Sequence, residues 1–287
     1  NPFAEGLYQP AAYPLFVAAT GLLFGQPDLV GLRWIQLVLG FATAWILVRL
    51  GRRIGSPLGA PWVGAAAALI YSMHPGILMY EQDVLTPALS GFLTVAALSL
   101  SLGSGRLGCG LSGLCSGLAA SVHPTLLLAS GALGGAVWRR SGRLLPFAAG
   151  LAIALAPSVS YNSAQGMPAL VSHNAGINFY IGNSTDWKET SFLRPGLPFR
   201  RLALEAEPHL RTLPERNSYW IKRALSDISG SPAGWAGAIL EKGYWSIHAR
   251  EIPRNEDYRC RYQNPALGWM GLLPSRWGWV FPLAIAG

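Results

Sequence analysis

The chain has 287 residues, of which 51% are hydrophobic and only 13% are charged, about half the charged share of an ordinary soluble domain. A bilayer-spanning helix needs about 20 mostly apolar residues, and long stretches of this chain carry no Asp, Glu, Lys or Arg, which argues against a soluble globular protein. The net charge of +8 does not indicate nucleic acid as a partner, because many arginines flank apolar runs, where positive charge sets membrane orientation. The charge-free stretches are residues 54–80, 84–105, 107–138 and 144–184.

The two ends of the sequence indicate that it is a piece of a longer protein. The chain begins at Asn1 without a methionine and stops at Gly287 inside an apolar run, so we expect truncation on both sides. Residues 1–28 then form the end of an outer loop and an interfacial helix. That helix covers the short apolar run 11–25, which also fits the tail of a span; we favour the interfacial interpretation.

Residues 29–160 predict a bundle of transmembrane helices, so that the chain as a whole is an all-α polytopic membrane protein. The run 107–138 has His123 and Pro124 at its middle and arginines beyond both ends. A single crossing would place one group of arginines outside, whereas a hairpin at His123 keeps both groups in the cytoplasm, and we prefer the hairpin. The other expected spans are residues 29–48, 61–79, 84–102 and 144–160.

Residues 161–274 predict an outer (periplasmic) loop domain, and residues 275–287 the start of the next transmembrane helix. Within the outer segment, residues 218–228 and 231–250 predict helices. The second helix has a broad surface of Trp, Tyr, Ile and Leu, side chains that favour the membrane–water boundary. It is therefore expected to lie flat on the bilayer, with packing against the outer domain as the alternative.

Ionisable groups stand at the outer ends of the predicted spans. Glu81 and Asp83 follow one span, and carboxylates near hydrocarbon usually have a function or a partner. They can act as general base or help to hold a divalent metal, and the alternative is a pair of hydrated loop charges. His123 can bind a lipid phosphate or serve as a polar turn residue. All three fall on the outer side in the predicted topology.

An asparagine-rich segment, residues 174–183, lies within the predicted outer domain. It contains Asn174, Asn178, Tyr180 and Asn183. Asparagine offers both donors and acceptors suited to sugar hydroxyls, so these residues are candidates for substrate binding. A cluster of structural turns explains the segment nearly as well.

Short motifs follow one another in order along nearly the whole chain: Tyr8-Gln9-Pro10-Ala11-Ala12-Tyr13-Pro14, Leu22-Leu23-Phe24-Gly25, Leu50-Gly51-Arg52-Arg53, Tyr80-Glu81 with Leu85 and Leu89, Ser121-Val122-His123-Pro124-Thr125, residues 174–183 and Glu251-Ile252-Pro253-Arg254-Asn255-Glu256-Asp257-Tyr258. In this order they resemble bacterial GT-C glycosyltransferases. More narrowly, they are similar to the branch related to protein O-mannosyltransferases and to the aminoarabinose transferases of lipid A.

The resemblance implies a GT-C-like helix bundle with large outer loops and a polyprenyl-phosphate sugar as donor. It adds Tyr80, Glu251 and Asp257 to the expected substrate-binding residues. Two departures stand out: the family's principal catalytic acid would lie upstream of Asn1, and the turn that is usually basic carries His123. Whether a metal takes part is left open.

The expected function is therefore transfer of a hexose or pentose from a polyprenyl-phosphate donor to a lipid, glycan or protein acceptor. The protein is expected to lie in the inner (plasma) membrane with its active site facing the periplasm. Two alternatives remain: a flippase or transporter of lipid-linked sugar, and a non-catalytic binder of it. A transporter would need polar groups through the middle of the bilayer, whereas the predicted spans are apolar.

Overall fold

The computed structural model of the protein describes residues 6–24, 29–103, 105–191, 193, 196–205 and 210–247. These residues form helices and no strand, as the composition predicts. The chain divides into two compact units, Asn1–Ser172 and His173–Gly287. Glu251, Asp257 and the expected span at 275–287 lie outside the described residues.

The first unit is built from apolar helices joined by short connections. A 3₁₀ turn, Ser56–Leu58, follows the second helix. The helices are α1 (Ala12–Phe24), α2 (Leu29–Gly55), α3 (Val63–Met73), α4 (Pro75–Gln82), α5 (Pro87–Ser101), α6 (Arg106–Val122), α7 (Leu126–Ser141) and α8 (Leu144–Ala164).

Two helical segments, Leu29–Leu58 and Leu144–Ala164, are long and apolar enough to cross a membrane, and α3 with α4 adds a third if the bent pair is one span. Large apolar side chains on α2 point away from the protein, with Trp34, Phe41 and Trp45 exposed by 63%, 67% and 64%. This surface suggests membrane association. The helices α5, α6 and α7 have 15, 17 and 16 residues, so their crossing of a bilayer stays a prediction, as does the interfacial position of α1.

The span predicted at 61–79 is bent, because its helix breaks at His74. The axes of α3 and α4 meet there at 60°. His74 adopts an extended conformation, with ψ 115°, and Pro75 begins the next helix. Proline lacks the amide proton and disfavours helical geometry in the residue before it, which explains the break.

The predicted hairpin in residues 107–138 is present. Near its open end, the Cys109 sulfur lies 3.9 Å from the Ser141 hydroxyl. Further along, the Ser130 hydroxyl donates to the Ser116 carbonyl at 3.4 Å. α6 and α7 are therefore antiparallel, and the turn between them contains His123.

Both basic ends of this hairpin lie at one end of the first unit. Arg140 Nη1 donates to the Ser101 carbonyl at 3.5 Å, at the end of α5. Arg53 Nη2, from the last turn of α2, donates to the neighbouring Leu102 carbonyl at 2.7 Å. These arginines therefore lie at one end of the first unit, as the predicted topology requires.

Glycines allow α6 and α8 to touch along their backbones. A Cβ at Gly113 would overlap the carbonyl oxygen of Phe147, and a Cβ at Gly150 would overlap that of Gly110. Small residues let apolar helices approach closely where no hydrophobic force holds them together in lipid. This contact forms the centre of the first unit.

The first unit continues past residue 160, where we expected the outer segment to begin. The Asn162 side chain is fully buried, and its Nδ2 donates to the carbonyls of Ala169 and Val171 at 3.2 and 3.3 Å. Its Oδ1 accepts from the Leu7 amide at 2.8 Å. One buried asparagine therefore ties the chain after α8 to the helices before it.

The second unit has its own core. Tyr180 and Trp220 pack with ring centroids 4.8 Å apart and are joined by Ile177, Leu202 and Ala224. The helices are α9 (Ala175–Asn183), α10 (Trp187–Ser191), α11 (Leu197–Leu204), α12 (Leu213–Gly230) and α13 (Pro232–Ile247).

The helix predicted at 218–228 begins earlier, at Leu213. Thr212 and Glu215 form a capping box: the Thr212 hydroxyl accepts from the Glu215 amide, and the Glu215 carboxylate accepts from the Thr212 amide at 2.9 Å. These hydrogen bonds lower the pKa of Glu215. The Thr-x-x-Glu spacing is a helix-start signal that the sequence carries.

The helix predicted at 231–250 corresponds to α13, which carries both an ion pair and exposed apolar side chains. Lys188 forms an ion pair with Glu241 at 2.8 Å and lowers the pKa of that carboxyl group. Leu240 is 75% exposed and Tyr244 55%. The helix therefore packs on its own unit, the alternative named above, and still presents an apolar face, so contact with a bilayer stays a prediction.

Candidate functional site

Glu81 lies in the last turn of α4 and is buried against α2. The Tyr71 hydroxyl donates to Glu81 Oε1 at 3.1 Å. A Cβ at Gly40 would overlap the carboxylate, so the glycine makes the space that the side chain occupies. Glu81 is 6% exposed, which places its carboxylate between helices and away from the surface.

Side chains of α2 bind the backbone that follows Glu81. Gln36, which is fully buried, donates through Nε2 to the carbonyls of Glu81 and Asp83, both at 2.8 Å. Arg33 Nε donates to the Gln82 carbonyl at 2.8 Å. The carbonyls at a helix C-terminus have no partner inside the helix, and these side chains supply one. The turn that carries both carboxylates is therefore held in place.

Tyr13 links this turn to the α6–α7 hairpin. Its hydroxyl donates to Gln36 Oε1 at 2.8 Å. Its ring belongs to a cluster with Val122, and Leu126 packs against the same cluster. The Asp83 carboxylate lies close enough to Tyr13 to interact electrostatically. Since Val122 and Leu126 flank the His123 turn, Asp83 and His123 lie at the same end of the first unit.

His123 is exposed, and its ring is oriented by a neighbour. The Nδ1 atom lies 2.7 Å from the Thr125 hydroxyl. An imidazole that accepts this hydroxyl proton at Nδ1 carries its own proton on Nε2. In the protonated ring both nitrogens donate. When Nε2 is protonated, in either of these forms, its N–H group can donate to an anion beside the turn, whereas the neutral ring with its proton on Nδ1 offers Nε2 as an acceptor.

The two carboxylates differ in accessibility. Glu81 is buried, whereas Asp83 is partly exposed and follows the end of α4. Tyr80, one residue before Glu81, is also partly exposed. Of the predicted pair, Asp83 is the more accessible residue, although its Oδ2 atom is buried.

An apolar groove of about 370 Å³ runs between α5, α6 and α7. Its walls are mostly alanine and leucine, and it reaches from Ala136 near the basic end to Ala119 and Leu126 beside the Tyr13 cluster. One end of the groove therefore opens next to the His123 turn.

The asparagine-rich segment is a helix, α9, and not a cluster of turns. Asn178 is exposed and Asn174 is partly exposed. Asn183 donates to the Phe179 carbonyl at 2.9 Å and accepts from Trp235 Nε1 at 2.9 Å. Tyr180 is 5% exposed in the core of the second unit, and burial raises its pKa. Its packing against Trp220 accounts for Tyr180 without a substrate.

Sequence reasoning missed Gln36, Tyr71 and Tyr13 as parts of this site. Gln36 did carry a signal, since a lone polar side chain inside an apolar span usually faces a partner. Tyr71 and Tyr13 carried no such signal in the sequence, because tyrosines are common at both ends of membrane helices.

No group of three or more His, Cys, Asp or Glu side chains that would suit a metal ion occurs in the part of the chain that the structure describes. Comparison of the chain with protein-family models, with curated proteins and with solved structures finds no match.

Proposed function

We propose that this chain is part of a polytopic membrane glycosyltransferase that takes its sugar from a polyprenyl-phosphate donor. The observation that carries the proposal is that Asp83 and the residues flanking His123 are both next to Tyr13, at one end of an apolar helical unit. The order of motifs that resembles GT-C glycosyltransferases supports it. The acceptor is a hydroxyl or amine of a lipid, glycan or protein at the outer face.

The donor has an apolar chain and a charged phosphate, and each of them matches a feature of the first unit. Its prenyl chain matches the apolar groove, where each buried CH₂ contributes about 0.8 kcal/mol. Its phosphate matches the exposed imidazole of His123 at the end of that groove, through a charge-assisted hydrogen bond. In this arrangement the sugar lies beyond the groove, on the side of Asp83.

The transfer step requires a base and a leaving group. The acceptor oxygen or nitrogen attacks the anomeric carbon, its proton passes to a carboxylate, and the lipid phosphate leaves with the electrons of the broken C–O bond. Asp83 takes that proton or helps to direct it. Glu81 is a positioning residue that holds the end of α4 through Tyr71.

Replacing His123 tests the donor site. A hydrogen bond to a charged group contributes about 1.5–3 kcal/mol, so His123→Ala should weaken binding of a purified polyprenyl-phosphate sugar by about 10- to 100-fold.

Two further variants complete the donor experiment. Ala129→Phe fills the groove and should weaken binding by occupying the space of the prenyl chain. Leu128→Ala, on the same helix with a side chain that is 82% exposed, is the control and should bind normally. Unchanged affinity in both His123→Ala and Ala129→Phe would exclude this donor site.

The topology is tested by labelling single cysteines. In a background without Cys109, Cys115 and Cys260, a cysteine replacing Arg140 should react only from the cytoplasmic side, and one replacing His123 only from outside. The antiparallel α6–α7 pair is the reason, because it separates the two positions along the helix axis. Labelling of both from the same side would contradict the proposed orientation.

A further inference from the structure

A second cavity, of about 200 Å³, lies wholly within the second unit. It is formed where the end of α9, the start of α10, the last turns of α12 and the start of α13 come together. Two tryptophans, Trp187 and Trp235, stand in its wall together with the carboxylate of Asp227. The remaining lining residues are Asn183, Ser184, Thr185, Ser231, Gly234 and Ala238.

We propose that this cavity binds one uncharged pyranose ring of a glycan. A pyranose has apolar C–H faces and a rim of hydroxyl groups, so it needs flat apolar surfaces together with acceptors and donors at the edge. Trp187 and Trp235 supply the flat apolar surfaces. Asp227, Thr185 and Ser231 supply the acceptors and donors at the edge. The inference concerns a site apart from the donor site proposed above and does not depend on it.

The aromatic wall is oriented before any ligand arrives. Trp235 donates from Nε1 to Asn183 Oδ1 at 2.9 Å, which fixes the indole against α9. The Lys242 ammonium lies 4.6 Å from the ring centroid of Trp187 and that of Lys188 lies 5.6 Å away. Contacts that hold a ring in one position lower the entropic cost of stacking a ligand on it.

The polar edge of the cavity has hydrogen-bond acceptor positions for a ligand. Asp227 Oδ2 accepts from the Thr185 amide at 3.2 Å and from the Thr185 hydroxyl at 3.4 Å. A carboxylate has about four acceptor positions, so two sugar hydroxyls can still donate to Asp227. The hydrogen bonds from Thr185 also orient the Asp227 carboxylate, so that it can accept from a pair of sugar hydroxyls.

The charge and the size of the cavity limit the class of ligand that it can bind. Asp227 is the ionisable residue among the lining residues. Lys242 is bonded to the Gly182 carbonyl and Lys188 is paired with Glu241, so both lysines are already engaged. An anionic sugar would therefore meet a carboxylate. The volume is below the roughly 300–1,000 Å³ of pockets that bury drug-sized ligands, which fits a single ring.

The experiment is saturation-transfer NMR on the purified protein with methyl glycosides of glucose, mannose and galactose, and with the glucuronide as the anionic counterpart. We expect millimolar binding of at least one neutral glycoside and weaker binding of the glucuronide. Trp235→Ala should weaken the neutral ligand by about tenfold, the equivalent of roughly 1.4 kcal/mol.

Two variants separate a binding role from a folding role. Trp245→Ala removes an indole of the same helix that does not line the cavity, so it is the matched control and should bind normally. Ala238→Phe fills the cavity while leaving the Trp235 and Asp227 hydrogen bonds intact, and it should abolish binding. Absence of any sugar signal, preference for the glucuronide, or binding that survives Ala238→Phe would overturn the proposal.

Discussion

Asparagine in place of Asp83 is expected to lower the rate of sugar transfer by about 10²–10⁴-fold, the usual effect of removing a general base. That loss corresponds to roughly 3–5 kcal/mol of transition-state stabilisation at about 1.36 kcal/mol per decade. The fold should survive, because Gln36 binds the backbone carbonyl of this residue and not its side chain. Donor binding should change less than turnover, since the groove and His123 are untouched.

The measurement is transfer of radiolabelled sugar from a purified lipid donor by the full-length protein in proteoliposomes, with donor binding measured separately. Glu81→Gln keeps an oxygen that can accept from Tyr71, so we expect a smaller loss of turnover than in Asp83→Asn. Gln82→Ala, at the exposed residue between them, is the control. A larger loss of turnover in Glu81→Gln than in Asp83→Asn would identify Glu81 as the base. Normal turnover in both variants would show that the residues of this turn take no part in the transfer step.

Alanine in place of Gly113 is expected to destabilise the first unit by about 1–3 kcal/mol or more, the typical cost of forcing extra atoms into a packed core. The added Cβ would overlap the Phe147 carbonyl, which is backbone and cannot rotate away, so α6 and α8 must separate. The gain in helix propensity from glycine to alanine, about 1 kcal/mol, does not compensate for this.

Gly135→Ala is the matched control. It is also a helical glycine, in α7, but a Cβ there would meet no heavy atom within 4 Å. We expect it to be as stable as the wild type or slightly more stable. Thermal unfolding in one detergent, followed by circular dichroism, compares the three proteins. Equal melting temperatures for Gly113→Ala and wild type would show that the α6–α8 contact is looser than described.

Several features could be predicted from the sequence because they depend on local chemistry. The all-helical fold followed from long charge-free runs, and the hairpin followed from arginines beyond both ends of residues 107–138. The helix at 231–250 was recognisable from its pattern and its proline start. The capping box at Thr212 was also present in the sequence and was overlooked. The resemblance to GT-C glycosyltransferases likewise came from the sequence, and the proposed donor rests on it.

Other features depend on which residues meet across helices, and no local pattern encodes that. Glu81 and Asp83 look equivalent in sequence, yet Gly40, far along the chain, opens the space that buries one of them. Gln36 reaches both Tyr13 and the 81–83 turn, so the site is assembled by a side chain whose partners are distant in sequence. Tyr180 is predicted to bind substrate, and only the tertiary structure shows that its ring packs against Trp220 in a core. Composition determined the kind of fold, and only tertiary packing decided which polar groups are buried together, because burial depends on the shape of the neighbours.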